Sequence, residues 1–217
     1  LQKLALNDSA LTFVKESSKA LGSGFLCGFL GLLHLEITQE RLSREFDIEV
    51  ITTSPSVEYL AELNTTDYSK ISNINIANID DNKILHIHTA MECPDKTLIK
   101  SIKEPWVYLE VITPEEYLGN IMDLCQKNRG IYMEMQYISS ALINGSKQVI
   151  IKYEIPISEI ITSFFDKLKS VSQGYASMDY SETHYKEGSI EKVTVIINHE
   201  VVEALSFLSH SYNAEYK

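Results

Sequence analysis

The run "WVYLEVI", residues 106–112, alternates apolar and polar positions. Val107, Leu109 and Val111 fall on one side, and Trp106, Tyr108 and Glu110 on the other, which predicts a half-buried strand. The period then lengthens. In "TPEEYLGNIMDLCQKNRG" (113–130), Leu118, Ile121, Met122 and Cys125 recur at helical spacing. Thr113 is the expected N-cap, Pro114 the first helical position and Glu116 the partner that completes a capping box. Lys127 and Arg129 suit the C-terminal end, and Gly130 stops the helix. "IYMEMQYI" (131–138) and "QVIIKYEI" (148–155) alternate again, joined through a turn at Asn144-Gly145. "PISEIITSFFDKLKS" (156–170) predicts a second helix with Ile161, Phe164, Phe165 and Leu168 on one face. "GYASMDYSETHY" (174–185) closes as a fourth strand. The order β-α-β-β-α-β is the split βαβ, or ferredoxin-like, sandwich, with both helices on one sheet face.

Residues 11–60 repeat most of that plan. "LTFVKE" and "SGFLCGFL" predict paired strands. "GLLHLEITQERLSREF" predicts a helix with Leu32, Leu35, Leu42 and Phe46 on its buried stripe. Glu40–Arg44 and Arg41–Glu45 are expected i, i+4 ion pairs on its wet side. "DIEVITTSPSVEYL" is the expected closing strand and exit. The opening strand of this unit would lie upstream of residue 1, and the first residues read as the tail of a helix, so a fragment is expected. The fold class is therefore α+β, two ferredoxin-like split βαβ sandwiches, the first truncated at its N-terminus. Between them, residues 64–83 are rich in Asn, Ser and Asp without period, which predicts a loop or insertion. "KILHIHT" alternates and is expected to form a hairpin with residues 57–62. "VTVIIN" (193–198) is a further expected strand.

Composition narrows the picture. The chain has 217 residues and a net charge of −11, which argues against nucleic-acid binding through bulk charge and leaves only local basic clusters. No apolar run reaches the roughly 18 residues of a membrane span, and no signal segment opens the chain. Cys27, Cys93 and Cys125 are scattered and odd in number, which fits free thiols rather than disulfides or a zinc site.

The candidate chemistry is sparse. "GSGFLCGFLG" has no lysine and is apolar, so it fails as a phosphate loop. Gly28 and Gly31 are expected to let the strand approach and turn into the helix. His34, with Glu36 two residues on, reads as a structural histidine, since i, i+2 neighbours do not share a helix face. His86 and His88 share a strand face without further metal ligands in view. No catalytic set and no metal site can be assigned. Two basic clusters remain: Lys127 with Arg129, and Lys167 with Lys169 ahead of the turn containing Gln173. Read as solvated helix ends they are unremarkable; read together they suit RNA phosphates. Trp106, Tyr108 and Tyr132 are a candidate stacking face.

"ALGSGFLCGFLGLLHLEITQERLSREFDIEVITTSPSVEY", "EPWVYLEVITPEEYLGNIMDLCQKNRG" and "EIPISEIITSFFDKLKSVSQGYASMDY" resemble the LepA (elongation factor four) family of translational GTPases, relatives of elongation factor G. The "GLLHLEI" core is shared more widely among ribosomal GTPases. The resemblance implies an elongation factor G domain III-like unit at 1–63, a connector with an insertion and hairpin at 64–103, a domain V-like unit at 104–186, and the beginning of a LepA-type C-terminal domain at 187–217. It implies a ribosome-binding part of a factor tied to back-translocation, fidelity or assembly of translation. Ribosomal RNA and ribosomal proteins are then the partners, along with the absent N-terminal GTPase domain that binds GTP and Mg. It makes Lys127, Arg129, Lys167, Lys169 and Gln173 the rRNA-contacting residues. Arg41 and Arg44 would face the small subunit or another domain. No catalytic or cofactor-binding residue is expected in this stretch itself. Eukaryotic relatives serve mitochondria or plastids, and the insertion points the same way, with the cytoplasm as the alternative. Two other functions stand beside this one: another translational GTPase of the elongation factor G or BipA type, and a ferredoxin-like module regulated by a small ligand.

Overall fold

The computed structural model describes residues 1–18, 22–53, 56–64, 79–80, 83–143, 146–202 and 205–211. The chain forms two compact units. One comprises 57–88 and 94–190; the other comprises 1–56, 89–93 and 191–217.

The larger unit is built on β5 (Ile99–Pro114), followed by α3 (Leu118–Lys127), β6 (Ile131–Ile143), β7 (Ser146–Pro156), α4 (Ile157–Ile160), α5 (Phe164–Val171) and β8 (Ser177–Glu187). β6 pairs β7, β7 pairs β5, and β5 pairs β8, all antiparallel. That sheet order is the split βαβ arrangement expected from the sequence. The alternation read at 107–111 places Val107, Leu109 and Val111 in the core. Opposite them lie Ile151, Tyr153 and Ile155, with Ile121, Leu124, Cys125, Ile160, Phe164 and Leu168 pressed on them from the helices. Each large apolar side chain buried here stabilises by about 1.5–3 kcal/mol.

β5 is longer than the alternation predicted, because it has a second task. Its residues 99–103 pair β3 (Tyr59–Leu63), which in turn pairs β4 (Ile84–Ile87). The expected hairpin therefore forms, and it extends the same sheet to six strands. The stretch read as a connector, 64–103, thus supplies β4 and the start of β5, and residues 57–63 join this unit rather than the first. Burial explains the attachment. Tyr59, Ala61 and Leu63 alternate as buried positions, as do Leu85 and Ile87.

Three local expectations change. Thr113 does not cap α3: it stays in the ladder opposite Val149, fully buried, and the chain turns only at Glu115–Tyr117. The buried stripe of α3 runs through Leu124, with Met122 only half-buried. The second helix is broken at 161–163, so the buried positions are Ile160, Phe164 and Leu168, and Phe165 lies 48% exposed. The Asn144-Gly145 turn and most of the 64–83 insertion lie outside the described residues.

In the smaller unit, the short helix α1 (Gln2–Ala5) comes first. β1 (Thr12–Ser18) and β2 (Gly22–Gly28) then form the expected antiparallel pair. The helix α2 (Leu32–Phe46) follows. Leu42 is buried with Leu4 and Leu11, and Phe29, Phe46 and Val50 pack on them. The side chain of Leu32 is outside the described set. Asp47 ends α2 in the left-handed region (φ 53°), a conformation Asp tolerates. The stretch 47–60, expected as the closing strand and exit, has no strand or ladder partner over 47–53 among the described residues, and its last two residues open β3 instead. Towards the C-terminus, β9 (Ile190–Val193) pairs β12 (Phe207–His210). The expected strand at 193–198 shrinks to β10 (Ile196–Ile197), paired with β11 (Glu200–Val201). The reason is the turn at Asn198-His199, both with positive φ, which folds the chain back at once.

Candidate functional site

One lysine from each basic cluster lines a common cleft. Lys127 and Asn128 at the end of α3, and Lys167, Ser170 and Val171 of α5, line one open cleft of about 400 Å³ floored by Leu124. Sequence spacing alone had left them unrelated. The packing of α3 against α5 over a shared core brings them together. Both lysine side chains are exposed. Asn128 is fixed rather than free: its side-chain Nδ2 donates to the Leu124 carbonyl at 2.7 Å, closing the last turn of α3.

Arg129 has a different place. Its residue sits in the left-handed region (φ 62°), a conformation that costs a non-glycine residue about 1–2 kcal/mol. Its guanidinium is turned inward. Nη1 and Nη2 donate to the two oxygens of Glu104, both at 2.8 Å, and Nε donates to Glu159 at 3.2 Å. The side chains of Arg129 and Glu104 are only 12% and 2% exposed. Burial alone would lower the Arg129 pKa; the bonds from Glu104 and Glu159 outweigh it and hold it above its ordinary value. This fork is bidentate, the geometry that guanidinium matches best. Arg129 thus staples the α3–β6 turn to β5 and α4, and its donors are spent inside the protein.

Gly130 is needed for space rather than for a left-handed turn. A Cβ there would lie 2.8 Å from the Cys125 carbonyl oxygen and 3.1 Å from Tyr153 Cδ1. The Gly130 N–H donates to that same carbonyl at 2.8 Å. The helix stop was legible, and its mechanism was not.

Lys169 lies in the last turn of α5, and Gln173 in the turn between α5 and β8. Lys169 Nζ donates to the carbonyls of Ala176 at 2.7 Å and Gly174 at 3.3 Å, and it lies 5.4 Å from the Phe165 ring centroid. Ser172 is fully buried. Its Oγ donates to the Leu168 carbonyl at 2.7 Å and accepts the Ala176 N–H at 3.1 Å. Gln173 and Gly174 both take positive φ. Gln173 is exposed at the apex. Beside it Tyr175, 46% exposed, stacks on Tyr117 with ring centroids 5.9 Å apart and planes 14° from parallel. The sequence reading missed this pair, because 58 positions separate Tyr117 from Tyr175 and no period links them.

The candidate stacking face dissolves. Tyr132 pairs in register with Tyr153, which faces the core beneath the helices, as does Leu109. Tyr108 lies opposite Glu154 and so points to the other side of the sheet. Trp106 is 8% exposed, with Lys186 Nζ 4.8 Å from its ring centroid. Tyr108 is stacked on His184, which shares Glu154 with Lys186.

Elsewhere, Arg41 pairs with Glu45 and Arg44 with Glu40, both at 2.7 Å on α2, as the spacing predicted. His34 accepts the Leu30 N–H at Nδ1, so its proton sits on Nε2, which donates to Asp8 at 2.7 Å. That bond lowers the Asp8 pKa. His86 and His88 share Glu58, at 2.7 and 3.8 Å. Among the described residues no cluster of three or more metal-ligating side chains occurs. No helix there is long and apolar enough to cross a membrane. Gly28 lies against Thr12, whose Oγ1 a side chain would strike; Gly31 has open space around it and an extended backbone. Gly28 is therefore close to the paired strand β1 rather than to the helix, and close packing does not explain Gly31.

The model of the elongation factor G C-terminus matches residues 101–196. Elongation factor 4 of Mycoplasmopsis pulmonis is 46% identical over 214 residues, 99% of this chain and 32% of that protein. Elongation factor 4 of Limosilactobacillus fermentum is 45% identical over 215 residues, again 99% of this chain and 32% of that protein. A crystal structure of a Thermus thermophilus protein covers 86% of this chain and 37% of its own, with a TM-score of 0.50 at 17% identity, a likeness of fold. The chain spans about a third of the length of the curated relatives it matches. With that identity sustained across both units, this chain belongs to the elongation factor 4, or LepA-type, family of translation factors.

Proposed function

We propose that this chain is a ribosome-binding part of a translation factor, and that the cleft between Lys127 and Lys167 is its rRNA phosphate contact. The observation that carries this reading is that Lys127, at the end of α3, and Lys167, within α5, line one open cleft. On a chain of net charge −11, only such a local concentration of cations competes for a polyanion. Gln173, exposed on the neighbouring turn, adds an amide donor and acceptor. Arg129 and Lys169 act one step back, holding the α3 end and the α5–β8 turn that present these groups. Arg44, with a side chain 77% exposed, and Arg41 are the second contact we propose, toward the small subunit or another domain.

The glycine run at 22–28 is laddered against β1, so its backbone is not gathered as a phosphate cradle. We place GTP and Mg binding outside this sequence, and we assign the ribosome to an organelle on the composition of residues 64–83. Co-sedimentation of the 217-residue chain with ribosomes at low salt tests the cleft. Lys127→Glu combined with Lys167→Glu should weaken binding roughly tenfold or more and flatten its salt dependence. Undiminished binding by that variant rejects the cleft as the contact.

A further inference from the structure

We propose that Asn128 is the residue by which the lysine cleft tells RNA from DNA, its side-chain Oδ1 accepting a hydrogen bond from a ribose 2′-hydroxyl; this rests on the rRNA reading above. A phosphodiester presents acceptor oxygens and no donor. Lys127 and Lys167 answer it with donors alone, because an ammonium carries three N–H groups and no lone pair. Two lysines therefore hold the backbones of DNA and RNA alike.

Asn128 breaks that uniformity. It lines the same cleft and is half-buried. Its surroundings decide which way the amide faces. The Leu124 carbonyl is an acceptor, so the nitrogen must turn to it, and Nδ2 donates there at 2.7 Å. The backbone is held on the same helical turn. The Asn128 N–H donates to the Leu124 and Cys125 carbonyls at 3.2 and 3.1 Å, and the next residue, Arg129, is held by Glu104 and Glu159. Oδ1 is the amide atom left over, and among the described residues nothing donates to it. A phosphate oxygen cannot satisfy this acceptor. The donor that a nucleic acid carries beside its phosphates is the 2′-hydroxyl, which DNA lacks. An acceptor already fixed loses little entropy when it is used.

The remaining lining suits a sugar. Leu124 and Val171 are apolar and can meet the C–H face of a ribose, and Ser170, exposed on α5, adds one rotatable hydroxyl. Among the described residues no aromatic ring and no guanidinium lines the cleft, so it reads sugar and phosphate rather than base.

The test uses the 217-residue chain and one fluorescein-labelled stem-loop made in three forms: RNA, DNA, and RNA with 2′-fluoro sugars. The 2′-fluoro form keeps an RNA-like sugar pucker and cannot donate. Fluorescence anisotropy reads affinity. Wild type should bind the RNA roughly fivefold or more tighter than either other form. Asn128→Ala should bind all three forms equally, with the salt dependence of wild type. Asn128→Gly, which a helix end tolerates, replaces it if the alanine variant does not fold. Lys127→Glu with Lys167→Glu should weaken all three forms together. If wild type binds RNA and its 2′-fluoro form equally, or a folded Asn128 variant keeps the full preference, the Asn128 contact is rejected while the phosphate cleft stands. If the double lysine variant binds as wild type does, or wild type binds none of the three forms, both readings fall.

Discussion

Removing the guanidinium of Arg129 strands a carboxylate. Glu104 has a side chain only 2% exposed and would lose both guanidinium donors that satisfy its oxygens. Arg129→Ala should therefore cost about 3–5 kcal/mol in urea unfolding. Arg129→Lys should recover only part of it, because an ammonium cannot make the two-pronged contact. The sequence showed a cation at a helix end and no more. Its partners lie 25 and 30 positions away, on β5 and α4, and only folding joins them. Tyr59 and Tyr153 make a second residue-scale prediction. Burial pushes both phenols up to about 12; at Tyr59 the charge of Glu104 adds to it. Their folded pKa lies above the unfolded value near 10. The stability they contribute is thus intact below about pH 10 and is lost as pH rises from there towards 12. Absorbance at alkaline pH should show these two ionising only as the fold opens, after the exposed tyrosines; ionisation together with the exposed set would contradict the burial.

At the scale of elements, the α5–β8 turn depends on one hydroxyl. Ser172→Ala leaves the buried Ala176 N–H without its acceptor and should cost about 1–3 kcal/mol. It should also speed amide exchange at 174–176, measured by hydrogen exchange. The helices and the four sandwich strands were legible because their apolar residues repeat at about 2.0 or 3.6, and those periods follow from backbone geometry alone. What the periodicity could not show was where one element hands over to the next. Pro114 reads as a helix start in any local window, yet the ladder opposite Gln148 keeps it in the strand. Ile161 and Phe165 read as part of a buried stripe with Phe164 and Leu168, until the break at 161–163 puts Ile160 in the core and leaves Phe165 exposed. The lysine cleft and the Tyr117–Tyr175 stack depend on how helices pack, which no single segment encodes.

For the whole molecule, the central fact is that β5 serves two structures. Its C-terminal part is the spine of the sandwich, and its first residues carry the β3–β4 hairpin. The residues before and after the long Asn-rich stretch are fixed by pairing, Glu62 opposite Ile84 and the Leu63 N–H on the Lys83 carbonyl. Closing a longer loop between two anchored ends adds only about 0.6 kcal/mol for each doubling of its length. Replacing residues 65–78 with a short Gly-Ser segment should leave the melting temperature within a few degrees and ribosome co-sedimentation unchanged; a large loss of either would show that the stretch contributes contacts. An evolving gene can thus lengthen or trim its coding sequence between these two anchors at little thermodynamic penalty, which makes that point in the sequence the natural site for grafting a tag, a reporter or an affinity handle onto the chain.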